Sequence, residues 1–440
     1  MDDFSQLISK ETKRKIGSIK KYINEITYNK KLKKIKRNIK KKIKLPKGRN
    51  KNEIKDINKK NKNEISNNQK LVKKRNAGVD LLRIITMIGI VYTHVLHQGN
   101  GLNKYNKYRN KINNSYTYFF WHDNAFALIS GVVGYKSTKY SNLLYLWLCV
   151  VFYSVGIHYY YLKYKKVSNI DTVIYKEYFP VIYGKYWYFT SYFGMFLFLP
   201  AVNKGIQYLN KPEFKALVMS ICGIFVIWQS YMNSKDDHFK MNDGVSTLWL
   251  LCLYIIGGYI GKFNVIYSGI KRFIFSFIYL LIFLFFCFIH NKYIHYTILE
   301  YSGNYKKKLI NFIKRLLSDK LNKISCVVKT AQSISLALFF LQLKYNKYLS
   351  KLITFIGPLT FAVYLIHLNS NVSKNYLNKI LNGESYDLKA NEVIQMFILK
   401  SVKIFSGCII IDYLRHLLFT ILKIRKICIL AEKIFFKIIS

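Results

Sequence analysis

The side chains most able to do chemistry lie where they are hardest to tolerate. Arg75 to Gly101 reads RNAGVDLLRIITMIGIVYTHVLHQGNG, a near-continuous apolar run that carries Asp80, Arg83, His94 and His97. In a helix, the eleven residues from Arg83 to His94 rise about 16 Å and turn to within roughly 20° of three full turns. Arg83, Met87, Ile90 and His94 then share one face, with Asp80 one turn before Arg83 and His97 one turn beyond His94. An ionised group at mid-depth in hydrocarbon costs about 2.5 to 3.5 kcal/mol on insertion scales, so such groups usually face a bundle interior or a wet cavity. The chemistry on offer is a fixed positive charge near one membrane surface and a proton acceptor further in. The plainer alternative is that Asp80 and Arg83 mark the interface and that His94 is a satisfied packing residue.

A second apolar segment, FFWHDNAFALISGVVG, carries His122, Asp123, Asn124, Ser130 and Gly131. Small and polar residues there serve either chemistry or close helix packing with cross-helix hydrogen bonds. Gly184 to Pro200, GKYWYFTSYFGMFLFLP, opens on clustered aromatics that fit an interfacial belt. Gly357 to Asn369, GPLTFAVYLIHLN, ends near His367, which on its own reads first as an interface residue. His238 and Asp243 have the HxxxxD spacing of glycerolipid acyltransferases but fall in a short polar loop, so chance is the better account. Asn113 before Ser115 and Asn371 before Ser373 fit glycosylation acceptors, which matter only in a eukaryotic source. The sequence has no glycine-rich phosphate loop, CxxC pair or GxSxG nucleophile elbow. The seven cysteines have no paired spacing, so neither a disulfide framework nor a metal site is expected.

The elements that must position these residues are membrane helices. Across 440 residues, 51% are hydrophobic and 17% aromatic, yet 21% are charged, which describes apolar spans joined by charged loops. A net charge of +48 would suit nucleic acid or an anionic membrane surface. Residues 1 to 75 hold 27 Lys plus Arg against 7 Asp plus Glu, but lysine is abundant along the whole chain and reads as a compositional bias. Residues 1–74 have no interleaved aromatics or known binding module, so no nucleic-acid partner is expected. They form a Lys-rich, largely disordered tail without the apolar core of a signal peptide, and a polybasic segment before a span belongs on the cytoplasmic side.

Ten spans are expected, at 79–98, 118–134, 142–162, 186–203, 213–232, 245–261, 272–290, 322–342, 351–369 and 395–421. Lipid offers no partners for backbone groups, and these lengths favour helices, giving an all-α polytopic bundle. An even number of spans returns the basic segment 422–440 to the cytoplasmic side. The loop Asn291 to Leu321 disagrees, because Lys306, Lys307, Lys308, Lys314 and Arg315 would then lie outside.

NAGVDLLRIITMIGIVYTH, NAFALISGVVG, YWYFTSYFGMFLFLP, GVSTLWLLCLYIIGGYI and TFAVYLIH, in that order, resemble acyltransferase family 3, polytopic enzymes that O-acetylate surface polysaccharides and related glycans. The resemblance runs from about residue 75 to 421, and its most specific element is DxxR with His eleven residues after the Arg. It implies a membrane domain over 75–421 that takes an acyl group, usually acetyl from acetyl-CoA on the cytoplasmic side, to a hydroxyl of a glycan or related acceptor. Arg83 and His94 match the first-helix Arg and His regarded as essential in the family. Lys136 and Lys139 stand where many members have Arg, which keeps a charge for the donor but loses the bidentate fork.

Acyl transfer from a thioester to an alcohol needs a base for the hydroxyl proton and donors for the developing oxyanion. His94 is the candidate base, in direct attack by the acceptor or through an acyl-histidine. Arg83 binds the CoA phosphates or sets the field of the pocket. Asp80 orients Arg83, and Asn124, Ser130 and His367 are the supporting candidates. The competing reading from the residues is a transporter or channel that uses the Asp80, Arg83 and His94 stripe as a path.

Overall fold

A computed structural model of the chain describes residues 75–137, 139–164, 175–231, 237–263, 266–301 and 325–439. The expected basic tail, and Lys306, Lys307, Lys308, Lys314 and Arg315, lie outside the described residues. Apart from single turns, the helices are α1 (Ala77–His97), α2 (Arg109–Thr117), α3 (His122–Gly134), α4 (Ser141–Tyr164), α5 (Trp187–Tyr208), α6 (Lys211–Ile221), α7 (Thr247–Lys262), α8 (Gly269–Tyr301), α9 (Val327–Gln342), α10 (Lys347–Ile356), α11 (Thr360–His367), α12 (Ser370–Asn375), α13 (Ala390–Ile421) and α14 (Ile424–Ile439). No strand occurs among the described residues, so the all-helical expectation holds.

The count of ten spans does not. Among the described residues, five stretches are long and apolar enough to cross a membrane: Ala77–His97, Ser141–Tyr164, Gly269–Lys292, Lys347–His367 and Ala390–Ile421. Thr247–Lys262 and Val327–Gln342 are apolar but shorter, and α3 is helical for only 13 residues because turns occupy 118–121. In α5, hydroxyl-bearing residues, Asn203 and Lys204 dilute the apolar run, and Pro200 lies inside the helix. The expected span at 213–232 is α6 followed by a π-helical stretch, Cys222–Trp228. Apolar length in the sequence therefore overstated the continuous helix available to several segments. The helix at the expected span 272–290 is longer than expected, since α8 continues through the first eleven residues of the expected loop, about three turns, to Tyr301.

Helix α1 starts where Asn76 caps it, its side chain accepting from the backbone N–H of Gly78 at 2.8 Å and Val79 at 3.4 Å. It is the most enclosed of the five long helices. Its first turns, through Val79 and Leu82, join an apolar cluster with α3, α5, α7 and α9. From Met87 onward, Ile90, Val91, Tyr92, Val95 and Leu96 join a second cluster with α4, α11 and α13. Helix α1 thus runs along the seam between two packed halves, which is where a polar stripe can face other protein rather than lipid. Helix α8 is the opposite case: Phe273, Phe277, Leu281, Phe285 and Phe288 are exposed along it, the surface that hydrocarbon would cover.

Polar groups fasten the halves. Trp249 of α7 donates from Nε1 to Asn124 Oδ1 of α3 at 2.9 Å, and Tyr254 OH donates to Asn203 Oδ1 of α5 at 2.9 Å. Asn203 Nδ2 in turn donates to the carbonyls of Gly134 and Ser137, closing the end of α3. Lys262 Nζ donates to the carbonyls of Ile206, Gln207 and Leu209, capping the C-terminus of α5. Between α4 and α13, Arg415 donates to Asp412 at 2.7 and 2.9 Å and Tyr153 OH to the same carboxylate at 2.7 Å. The C-terminal segment 422–440 holds α14, which packs on α4 with Cys428 fully buried and Arg425 donating to Asn142.

Candidate functional site

Helices α1, α3, α5 and α11 converge on one partly open cavity of about 60 Å³. Met87, Ile90 and His94 of α1 form one wall, as the helical spacing predicts. Asp123 and Phe126 of α3, Trp187 and Tyr188 of α5, and Phe361, Tyr364 and Leu368 at α11 complete it. A volume of this size admits a few water-sized groups, not a nucleotide. The lining is mostly aromatic and aliphatic with a small number of convergent polar groups, which is the usual composition of a small-molecule site.

His94 and His367 meet at this cavity, their rings edge to face with centroids 5.3 Å apart. His367 is buried, and its Nδ1 is 2.5 Å from the carbonyl oxygen of Val363. A carbonyl can only accept, so Nδ1 carries the proton and Nε2 of the neutral ring carries a lone pair. Neither that Nε2 nor Nδ1 of His94 has a hydrogen-bond partner in the fold. Sequence reading alone favoured an interface role for His367; its burial beside His94 replaces that. The next imidazole on the stripe, His97, is exposed and lies against Tyr116.

Arg83 does not line the cavity. It is held by Asp80, Nη1 to Oδ1 at 2.6 Å, and Asp80 is fully buried. Arg75 reaches the same carboxylate, with Nη2 2.7 Å from Oδ1 and Nε on Oδ2. One carboxylate therefore orders two guanidinium groups at the start of α1, and both remain with free donor positions for a larger anion. Ser130 of α3 donates to Phe126 O at 2.8 Å. His94 and this cationic end are about 16 Å apart along α1, and the cavity wall begins about one turn beyond Arg83, at Met87.

Asn124 accepts from Trp249 Nε1 of α7 through its Oδ1 and does not line the cavity. Lys136 and Lys139 are exposed just past the C-terminus of α3, Lys136 with its ammonium 5.5 Å from the Tyr135 ring centroid. Thr93 Oγ1 lies 3.2 Å from His122 Nε2, so α3 begins beside the His94 end of α1 and returns toward the Arg83 end. That places the two lysines on the same end of the bundle as Arg75 and Arg83.

Sequence reading assigned no role to Asp123, Trp187, Tyr188 or Tyr364, which line the cavity. The aromatic cluster taken for an interfacial belt instead supplies Trp187 and Tyr188 to it, and Tyr186 is buried, donating to Leu365 O at 3.0 Å. His238 and Asp243 sit in a tight turn in which Asp237 accepts from the Asn242 backbone at 2.6 Å, a structural arrangement. Among the described residues no group of three or more His, Cys, Asp and Glu side chains has the geometry to hold a metal ion.

A family model described as an acyltransferase domain matches residues 76–413. No curated protein and no solved structure matches the chain. The match spans every element that builds the cavity and the cationic end, and the chain belongs to acyltransferase family 3.

Proposed function

We propose that this protein is a multi-pass enzyme of the cell membrane that moves an acetyl group from acetyl-CoA to a hydroxyl of a glycan or related acceptor. One observation carries this reading: His94, a histidine with an unsatisfied buried nitrogen, lies against His367 on the wall of a cavity only large enough for a small group. His94 takes the acceptor's hydroxyl proton as the oxygen attacks the thioester carbon; the carbon–sulfur bond breaks, and the proton passes to the leaving thiolate. His367, held by Val363, packs edge to face on His94 and so positions the ring whose nitrogen serves as the base.

Arg83, ordered by Asp80, and Lys136 and Lys139 beyond it, bind the phosphates of the donor on the cytoplasmic side. The thioester then reaches inward toward His94, and the acceptor arrives from the opposite side. Ser130, on α3 between these ends, guides the pantetheine arm. Purified protein in detergent should release free CoA from acetyl-CoA when an acceptor mixture from the cell envelope is added, and the recovered acceptor should gain the mass of one acetyl group. Absence of thiol release with every hydroxyl acceptor offered, by protein that is monodisperse, would sink the reading.

A further inference from the structure

Between α8 and α9, on the flank that hydrocarbon would cover, runs a groove of about 430 Å³ with two unlike parts. At one end stand Arg272, in the first turn of α8, and Lys344, just past the end of α9. From there Phe273, Phe277 and Leu280 of α8 and Phe339 of α9 form its walls, and Phe273 and Phe277 are exposed. From Arg272 to Leu280 the helix rises about 12 Å, against about 15 Å for half of a bilayer's hydrocarbon core. The cationic part lies at the Arg83 end of the bundle, because a Cβ added at Gly78 of α1 would meet the carbonyl of Phe340, near the end of α9. Arg272 donates from Nη2 to Leu343 O at 3.0 Å and from Nε to Gln342 O, which places the guanidinium over the last carbonyls of α9. Carbonyls align a guanidinium without neutralising it, and neither hydrogen on Nη1 is used by the described residues. Among the residues lining the groove there is no Asp or Glu, and residues 244–299 and 320–383, the segments that supply them, have none. The counter-charge must come from outside these segments.

We infer that this groove binds one anionic phospholipid from the leaflet at the Arg83 end, its phosphate between Arg272 and Lys344 and one acyl chain along Phe273, Phe277, Leu280 and Phe339. A charged head site and an apolar channel in line with each other have the layout of a phospholipid. A soluble phosphate would use the cationic end alone and leave the aromatic walls uncovered. The guanidinium can meet a phosphate with two parallel N–H donors, and the lysine adds a point charge from the facing helix. Capping α9 accounts for Nε and Nη2 of Arg272, but not for Lys344 or for the channel that leads from both cations into the membrane. The inference does not rest on the acyltransferase reading, and acetyl transfer is no part of its test.

Native mass spectrometry of the full-length protein, delipidated in detergent and titrated with phosphatidylglycerol or with phosphatidylcholine of the same chains, reads the site. The first bound phosphatidylglycerol should be favoured about tenfold or more, since each cation near an anionic surface is worth about fivefold. Arg272→Gln and Lys344→Gln should each remove about fivefold of that preference. Ser276 also lines the groove, and Ser276→Phe, which fills it with both charges in place, should abolish the first bound lipid. Lys344 is exposed, so Lys344→Gln and Ser276→Phe decide the matter even where Arg272→Gln loosens the end of α9. Phosphatidylglycerol carrying a diazirine at mid-chain should cross-link to the peptides that hold Phe277 or Phe339. Equal binding of the two lipids, or a preference that survives both Lys344→Gln and Ser276→Phe, overturns the inference. So does displacement of the bound lipid by inorganic phosphate, which would make the site one for a soluble anion, or a dimer that Ser276→Phe dissolves, which would give the groove to a second copy of the chain.

Discussion

His367 meets His94 edge to face across 5.3 Å, and its own Nδ1 is committed to the Val363 carbonyl. If His367 positions the ring of His94, the two positions must differ in what they cost. A general base contributes about 10² to 10⁴ in rate, so His94→Ala should lower kcat by that order. His367→Phe keeps an aromatic ring but loses the bond to Val363 that fixes it; it should cost about tenfold in kcat, the worth of about 1.4 kcal/mol, with donor KM unchanged. Single-turnover acetyl transfer measures both. An inert His367→Phe would show that His94 is oriented by something else.

Asp80 holds two guanidinium groups and is itself fully buried. Truncating it leaves Arg75 and Arg83 without their shared counter-charge, and breaking a buried pair from one side costs about 3 to 5 kcal/mol. Arg75 is nearly half exposed and can turn to solvent, so the lower end of that range is expected. Asp80→Ala should therefore lower the thermal midpoint of the detergent-solubilised protein and raise donor KM, because Arg83 loses its orientation. Arg83→Lys, which keeps the charge and loses the fork, should raise donor KM while sparing the midpoint. A Lys variant with wild-type KM would mean that Arg83 touches no phosphate.

The position of the first helix and its stripe was legible because two strong signals agree: continuous apolarity, and ionisable groups at helical spacing that hydrocarbon would penalise. Met87, Ile90 and His94 line one wall for that reason. What faces them was not legible. Trp187 and Tyr188 come from a segment about ninety residues away whose aromatics look like a membrane-interface belt, and only tertiary packing turns them inward. Asn124 misled in the other direction, since a polar residue in an apolar segment serves catalysis and helix packing equally well until its partner, Trp249, is known. The span count failed on backbone continuity: the turn before His122 and the π-helical stretch after Ile221 shorten segments whose composition suggests longer helices.

Lys136 and Lys139 are exposed on the same end of the bundle as Arg83, where a nucleotide's phosphates would meet them. Their contribution should then be electrostatic and specific to the phosphorylated part of the donor. The double change Lys136→Ala with Lys139→Ala should raise KM for acetyl-CoA several-fold, by about 1 kcal/mol or less per exposed contact, and more weakly at high salt. The same variant should handle an acetyl-pantetheine thioester, which lacks the nucleotide, as the wild type does. Equal losses with both donors would place the lysines in folding or in acceptor binding instead.

The close approach of α3 to α7 should be intolerant of added volume. A Cβ at Gly131 of α3 would stand 2.0 Å from the carbonyl oxygen of Tyr254 in α7, and one at Gly257 would stand 2.0 Å from the carbonyl oxygen of Leu128. Both obstacles are backbone, so relief requires the helices to separate, and overpacking of this kind costs about 1 to 3 kcal/mol or more. Separation would also strain the Trp249 to Asn124 bond and shift Asp123 one residue away from it. Gly156 in α4 and Gly407 in α13 are helical glycines with open space where a Cβ would go. Alanine there should be neutral or stabilising by up to about 1 kcal/mol, from backbone propensity alone. Thermal unfolding of the four alanine variants in one detergent gives the ranking directly, and acetyl transfer should fall only for Gly131→Ala and Gly257→Ala. If those two variants kept the wild-type midpoint, the α3 to α7 contact would have to be looser than the structure has it, and the cavity wall it supports would be less fixed than the mechanism needs.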